Sequence, residues 1–172
     1  YFVVHAPRQT GKTTTLRALA KELTEDGHYA ALHFTCEGGE PAGDDYEEAQ
    51  RGILDEIRMR AATDLPPELR PPSTWPEAAA SSLLRAATTA WTMVCPRPLV
   101  LFFDEIDALR GESLLAVLRQ LRAGFAERPR SAPWSVVLCG LRDVRDYKAA
   151  SGGDPGRLGT SSPFNVKVES LR

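Results

Sequence analysis

Ala6-Pro7-Arg8-Gln9-Thr10-Gly11-Lys12-Thr13 stands between an apolar segment, Tyr1–Ala6, and a run with helical spacing, Lys12–Asp26. A string of backbone N–H groups at the start of a helix offers partial positive charge to an anion, and the helix dipole adds to it. Gly11 allows a close backbone approach, Lys12 can reach β- and γ-phosphates, and the Thr13 hydroxyl suits Mg²⁺. The spacing is that of the Walker A pattern at every defining position but the first, where Ala6 replaces glycine. A residue before proline is pushed towards extended geometry, so Ala6 can continue the strand without a positive φ. The competing explanation is a Gly-Lys-Thr that opens a helix by chance.

A second motif weighs against chance. Leu99-Val100-Leu101-Phe102-Phe103 runs into Asp104-Glu105-Ile106-Asp107, an apolar strand delivering two adjacent carboxylates at its carboxyl end. Residue directions alternate along a strand, so the two carboxylates can serve different tasks. Asp104 is assigned to the metal, directly or through water, and Glu105 to the attacking water. Acidic residues welcome at a helix N-terminus would explain one carboxylate, not this pair with a phosphate loop upstream.

Around these motifs, Tyr1–Ala6, Tyr29–Cys36, Leu99–Asp104, Trp134–Cys139 and Phe164–Glu169 read as strands. Their continuous apolar runs suit strands buried on both faces of a parallel sheet. Lys12–Asp26 places Leu16, Leu19, Ala20 and Leu23 on one helical face, with Gly27 as its C-cap. Helices are also expected over Asp44–Ala62 (Tyr46, Ile53, Leu54, Ile57), Glu77–Cys95 (Leu83, Leu84, Ala87, Trp91) and Glu112–Glu127 (Leu114, Leu115, Leu118, Leu121, Phe125). Pro66, Pro67, Pro71, Pro72 and Pro76 make a stiff, non-helical connector, and 151–162 is a Gly/Ser-rich loop. The alternation predicts a doubly wound α/β sheet with ligands at the carboxyl ends of the strands.

Composition excludes several classes. A length of 172 residues suits one domain, and a net charge of −2 with mixed signs gives no basic patch for nucleic acid or an anionic membrane. No apolar run approaches the roughly 20 residues of a membrane span, and no signal peptide is legible, so a soluble, cytoplasmic protein is expected. Cys36, Cys95 and Cys139 lack CxxC or Cys/His spacing and read as buried thiols; His5, His28 and His33 receive no role. The chain starts on a strand without methionine and ends soon after another, which reads as a piece of something longer.

With APRQTGKTT as Walker A (residues 6–13, extended to Thr14) and LVLFFDEIDAL carrying Walker B (99–105), the chain resembles AAA+-like and signal-transduction-type P-loop ATPases over nearly its whole length. The resemblance implies a three-layer fold with a five-stranded parallel sheet in the order 5-1-4-3-2. It implies Mg²⁺-dependent ATP hydrolysis driving a conformational change in a larger protein, frequently within a homo-oligomer. The family's sensor at the end of strand four is not Asn or Thr here; Arg142 is the nearest candidate, with Arg145 competing, and Arg157 is a candidate arginine finger. The family's helical lid would follow strand five and is expected to be absent from this chain. The alternative is a slow-hydrolysing ATP/ADP switch in a signalling protein. A small-molecule kinase is disfavoured by the water-orienting Glu105. A guanine-specific Asn-Lys-x-Asp motif is missing, since the only asparagine is Asn165.

Overall fold

The computed structural model describes residues 1–5 and 10–140, apart from the His5 side chain. Four strands, β1 (Phe2–His5), β2 (Ala30–Thr35), β3 (Leu99–Asp104) and β4 (Ser135–Gly140), form one parallel sheet in the order β1-β4-β3-β2. Four helices accompany them: α1 (Lys12–Glu25), α2 (Tyr46–Asp64), α3 (Leu83–Val94) and α4 (Gly111–Gly124). The described residues thus show four strands in place of the expected five in the order 5-1-4-3-2. The fifth, Phe164–Glu169, lies outside them.

Side-chain alternation divides the sheet between two helical layers. Leu32, Phe34, Leu99, Leu101, Phe103, Val136 and Leu138 face a large core with α2, α3 and α4. The opposite parity, Ala31, Val100, Phe102, Val137 and Cys139, packs on Leu16 and Ala20 of α1. Three layers result, and β3 is fully buried along its length. Among its neighbours Trp91 is completely covered, and its indole N–H donates to the Leu69 carbonyl at 3.0 Å, which lets a large ring be buried without an orphaned donor.

Several expected details are corrected. On α1 the buried stripe is Leu16, Ala20 and Thr24, while Leu19 is exposed. Thr24 belongs inside because its hydroxyl donates to the Ala31 carbonyl and accepts from the Ala31 N–H, tying α1 to β2. Tyr46 and Phe125 are exposed rather than core, and Cys95 is only half-buried. The helix expected from Glu77 begins at Leu83, after a short 3₁₀ turn at Ala80–Ser82. Its first amides are met from other helices: the Leu84 N–H donates to Gln50 Oε1 (3.0 Å) and the Arg85 N–H to Gln120 Oε1 (3.1 Å). A 3₁₀ segment spans Glu37–Ala42 between β2 and α2. The Pro-rich connector is largely irregular as expected, with one 3₁₀ turn, Pro67–Leu69, burying Leu69.

Candidate functional site

Parallel strands bring their carboxyl ends to one edge, and α1 begins above the same edge. Gly11 is the N-cap of α1 with φ 81° and ψ 11°, a left-handed conformation that favours glycine. A Cβ there would meet nothing within 4 Å, so the backbone angle and not crowding sets the requirement. The α1 N-terminus carries no side-chain cap and no acidic residue in its first turn. The contrast is α2, whose Asp45 side chain accepts from the Glu47 and Glu48 N–H groups. One helix start has its positive end offset by carboxylates, and the other has no acidic side chain in its first turn to do so.

Thr13, in the first turn of α1, donates its hydroxyl hydrogen to Asp104 Oδ2 at 2.7 Å. Asp104 ends β3 and is 1% exposed. Its Oδ2 also lies 2.9 Å from His33 Nε2 on the neighbouring β2, and its Oδ1 accepts from the Glu105 N–H at 3.0 Å. Cys139, on β4, adds a thiol hydrogen bond. Burial pushes the Asp104 carboxyl up, but the bonds from His33, Thr13, Cys139 and the Glu105 amide outweigh it, and its pKa falls to about 2. The carboxylate is ionised and held from three strands' ends and a helix.

The same charge acts on its surroundings. Burial, then Asp104, raise the Cys139 thiol to about 12, so it stays a neutral donor. Burial, followed by Asp104, Asp107 and Glu105, also pushes up Cys36, whose N–H donates to the Asp104 carbonyl at 2.8 Å. Both are inert thiols.

Glu105 leaves the strand in a left-handed conformation, φ 50° and ψ 44°, the only positive-φ residue other than glycine among those described. Such backbone costs about 1–2 kcal/mol in a residue with a Cβ. Burial, then Asp107, Asp104 and Glu37, raise its carboxyl, while Lys12 draws it down. The Lys12 ammonium therefore acts at the same edge as Glu105 and Cys139. Beside them, a Cβ on Gly140 would stand 2.7 Å from Asp107 Oδ1, so β4 ends in glycine where the acidic turn after β3 crosses it.

Of the sequence-derived residues, Gly11, Lys12, Thr13, Asp104 and Glu105 thus converge, and Thr14 lies one position along α1, exposed. Ala6, Pro7, Arg8 and Gln9 lie outside the described residues, as do Arg142, Arg145 and Arg157. Cys139 and His33, given no role on sequence, prove to be partners of Asp104. For His33 a signal existed: it is the single charged-capable side chain in the apolar run Ala30-Ala31-Leu32-His33-Phe34. No group of three or more His, Cys, Asp or Glu suited to a metal is present among the described residues, and no helix among them is long and apolar enough to cross a membrane.

A family model described as an AAA domain matches residues 1–147, and the chain belongs to that family. A search among curated proteins gives no match.

Proposed function

Because this chain is an AAA-domain protein, we propose that it binds ATP with Mg²⁺ at the carboxyl edge of its sheet and hydrolyses it to ADP and phosphate. The observation that carries this is the 2.7 Å hydrogen bond joining Thr13, at the start of α1, to Asp104, at the end of β3. It unites the two sequence motifs at one point. The donor set fits the ion: a hydroxyl and a carboxylate are hard oxygen ligands of the kind Mg²⁺ takes, with phosphate and water completing its shell.

Each residue has a task in this reading. The loop from Ala6 to Thr14 cradles the phosphates, with Gly11 turning the chain and the uncapped α1 amides facing the anion. Lys12 pairs with the phosphate tail. Thr13 gives its only hydrogen to Asp104, which leaves its oxygen lone pairs for the cation. Bound Mg²⁺ would supply neutralisation of charge on the transferring phosphoryl group. Glu105, its carboxyl raised above the ordinary range, takes a proton from the attacking water. A fifth strand over Phe164–Glu169 beside β1, an Arg142 sensor, and coupling of turnover to a conformational change in a larger assembly complete the proposal.

Binding of a fluorescent ATP analogue and steady-state phosphate release test it. Lys12→Ala removes a charge-assisted contact of about 1.5–3 kcal/mol, so affinity is expected to fall roughly 10–100-fold. Glu105→Gln is expected to keep binding and lower phosphate release by about 10²–10⁴-fold. Undiminished affinity in Lys12→Ala sinks the reading. Tight binding with negligible wild-type turnover would turn it into a nucleotide-held switch.

A further inference from the structure

His33 is 8% exposed, on the α1 side of a strand whose other residues are apolar or, at its end, Thr35. An imidazole in such surroundings is costly unless paired, and its partner here is Asp104 Oδ2 at 2.9 Å. The pairing follows from register. His33 sits opposite Phe102 and Thr35 opposite Asp104, so His33 and Asp104 are diagonal neighbours on one face of adjacent strands. An ionised carboxylate only accepts, so the ring nitrogen facing it carries the hydrogen and His33 is the donor.

Two donors therefore meet on one oxygen, Thr13 from α1 and His33 from β2. Oδ1 is held separately by the Glu105 amide. Without His33 the carboxylate keeps the Cys139 thiol and the Glu105 amide but loses the bond that fixes Oδ2 from β2. The Thr13 hydroxyl, which aims its hydrogen at that oxygen, then loses its fixed acceptor and its lone pairs lose their direction. We propose that His33 is a positioning residue for the cation: through Asp104 it orients the Thr13 oxygen, and it thereby sets how tightly Mg²⁺ joins the bound nucleotide. This rests on the ATP-binding reading above and assigns that site a residue outside both phosphate-loop and acidic motifs.

The test uses the 172-residue chain, a fluorescent ADP, and Mg²⁺ titrated from a metal-free start, with no turnover measured. His33→Phe, which fills the space without a donor, is expected to raise the half-saturating Mg²⁺ concentration about 10–100-fold, the range found when an outer partner of a metal ligand is removed. Its affinity for the nucleotide in excess chelator should be unchanged. His33→Gln, whose amide nitrogen can donate near the position of Nε2, should recover most of the Mg²⁺ response. His33→Met serves as the donor-less variant should the phenylalanine chain not fold. A wild-type Mg²⁺ response in a folded donor-less variant overturns the inference. So does a loss in His33→Gln as large as in His33→Phe, or an equal loss of metal-free nucleotide affinity, either of which marks a packing role. In all three of these cases wild-type binding remains, and the ATP reading survives. Wild-type protein that binds no nucleotide, with or without Mg²⁺, removes both.

Discussion

Asp104 should make the stability of this protein acid-labile in a way that Asp104→Asn does not share. The pKa of the carboxyl falls from an ordinary 3.8 to about 2 in the folded chain, because four donors together outweigh the burial that would raise it. At about 1.4 kcal/mol per pKa unit, this corresponds to about 2 kcal/mol of stability. The sign follows from a folded value below the unfolded one. Above about pH 5 both states are ionised and the contribution is complete; as pH falls the unfolded chain binds the proton first, and about half of the contribution is gone by pH 3. Urea unfolding of wild type and Asp104→Asn at a series of pH values follows this contribution, with a smaller part from Glu105, whose carboxyl Asp104 raises. At pH 7 the variant should be the less stable. The gap should shrink by about 1 kcal/mol between pH 6 and pH 3. A gap that stays constant over that interval would show that the hydrogen bonds to Asp104 do not favour its ionised form, and the reasoning fails.

Gln50→Leu should destabilise the fold by roughly 2–6 kcal/mol, because it leaves the Leu84 N–H and the Gln120 Nε2 hydrogen without the acceptor they share. A urea-measured loss below about 1 kcal/mol would show that these groups find other partners. Glu105→Gly should be about 1 kcal/mol more stable than Glu105→Ala, because only glycine relieves the left-handed backbone, while both should lack turnover. Equal unfolding midpoints for the two would mean that φ 50° carries no strain.

How much of this was legible in the sequence depends on how local each signal is. The two motifs are contiguous strings, and each fixes its own strand, turn and side-chain direction, so Thr13 and Asp104 could be placed at one edge before any contact was known. The sheet order among the described strands followed from the family resemblance. What stayed hidden depends on relations between strands. His33 meets Asp104 only because β2 lies beside β3 in a register that makes them diagonal, and a one-residue slip would turn His33 to the opposite core. Leu19 is exposed against its helical spacing for a similar reason. A helical stripe two residues wide can be centred on Leu19 or on Thr24, and the hydroxyl pairing of Thr24 with Ala31 decides between them. The late start of α3 is also non-local, since Gln50 and Gln120 on two other helices meet its first amides.

The α1 face of the sheet shows how little it takes to turn a packing surface into a site. Ala31, Val100 and Val137 pack against α1 in the buried part of the face. One step further along each strand stand His33 beside Phe102, then Asp104 and Cys139 at the edge under Thr13. One polar residue from each of three strands is enough, because parallel pairing stacks them in neighbouring columns of the same face. An unpaired carboxylate at that depth would protonate or recruit water. Asp104 does neither, since its donors hold it ionised and fixed before a ligand arrives. The energy of ordering it is therefore spent on folding, and in the proposed site a cation would meet a carboxylate that needs no rearrangement. Because His33 is one of those donors, its removal should be read in metal affinity and also in a weaker acid dependence of stability, whereas protonating Asp104 is read in stability.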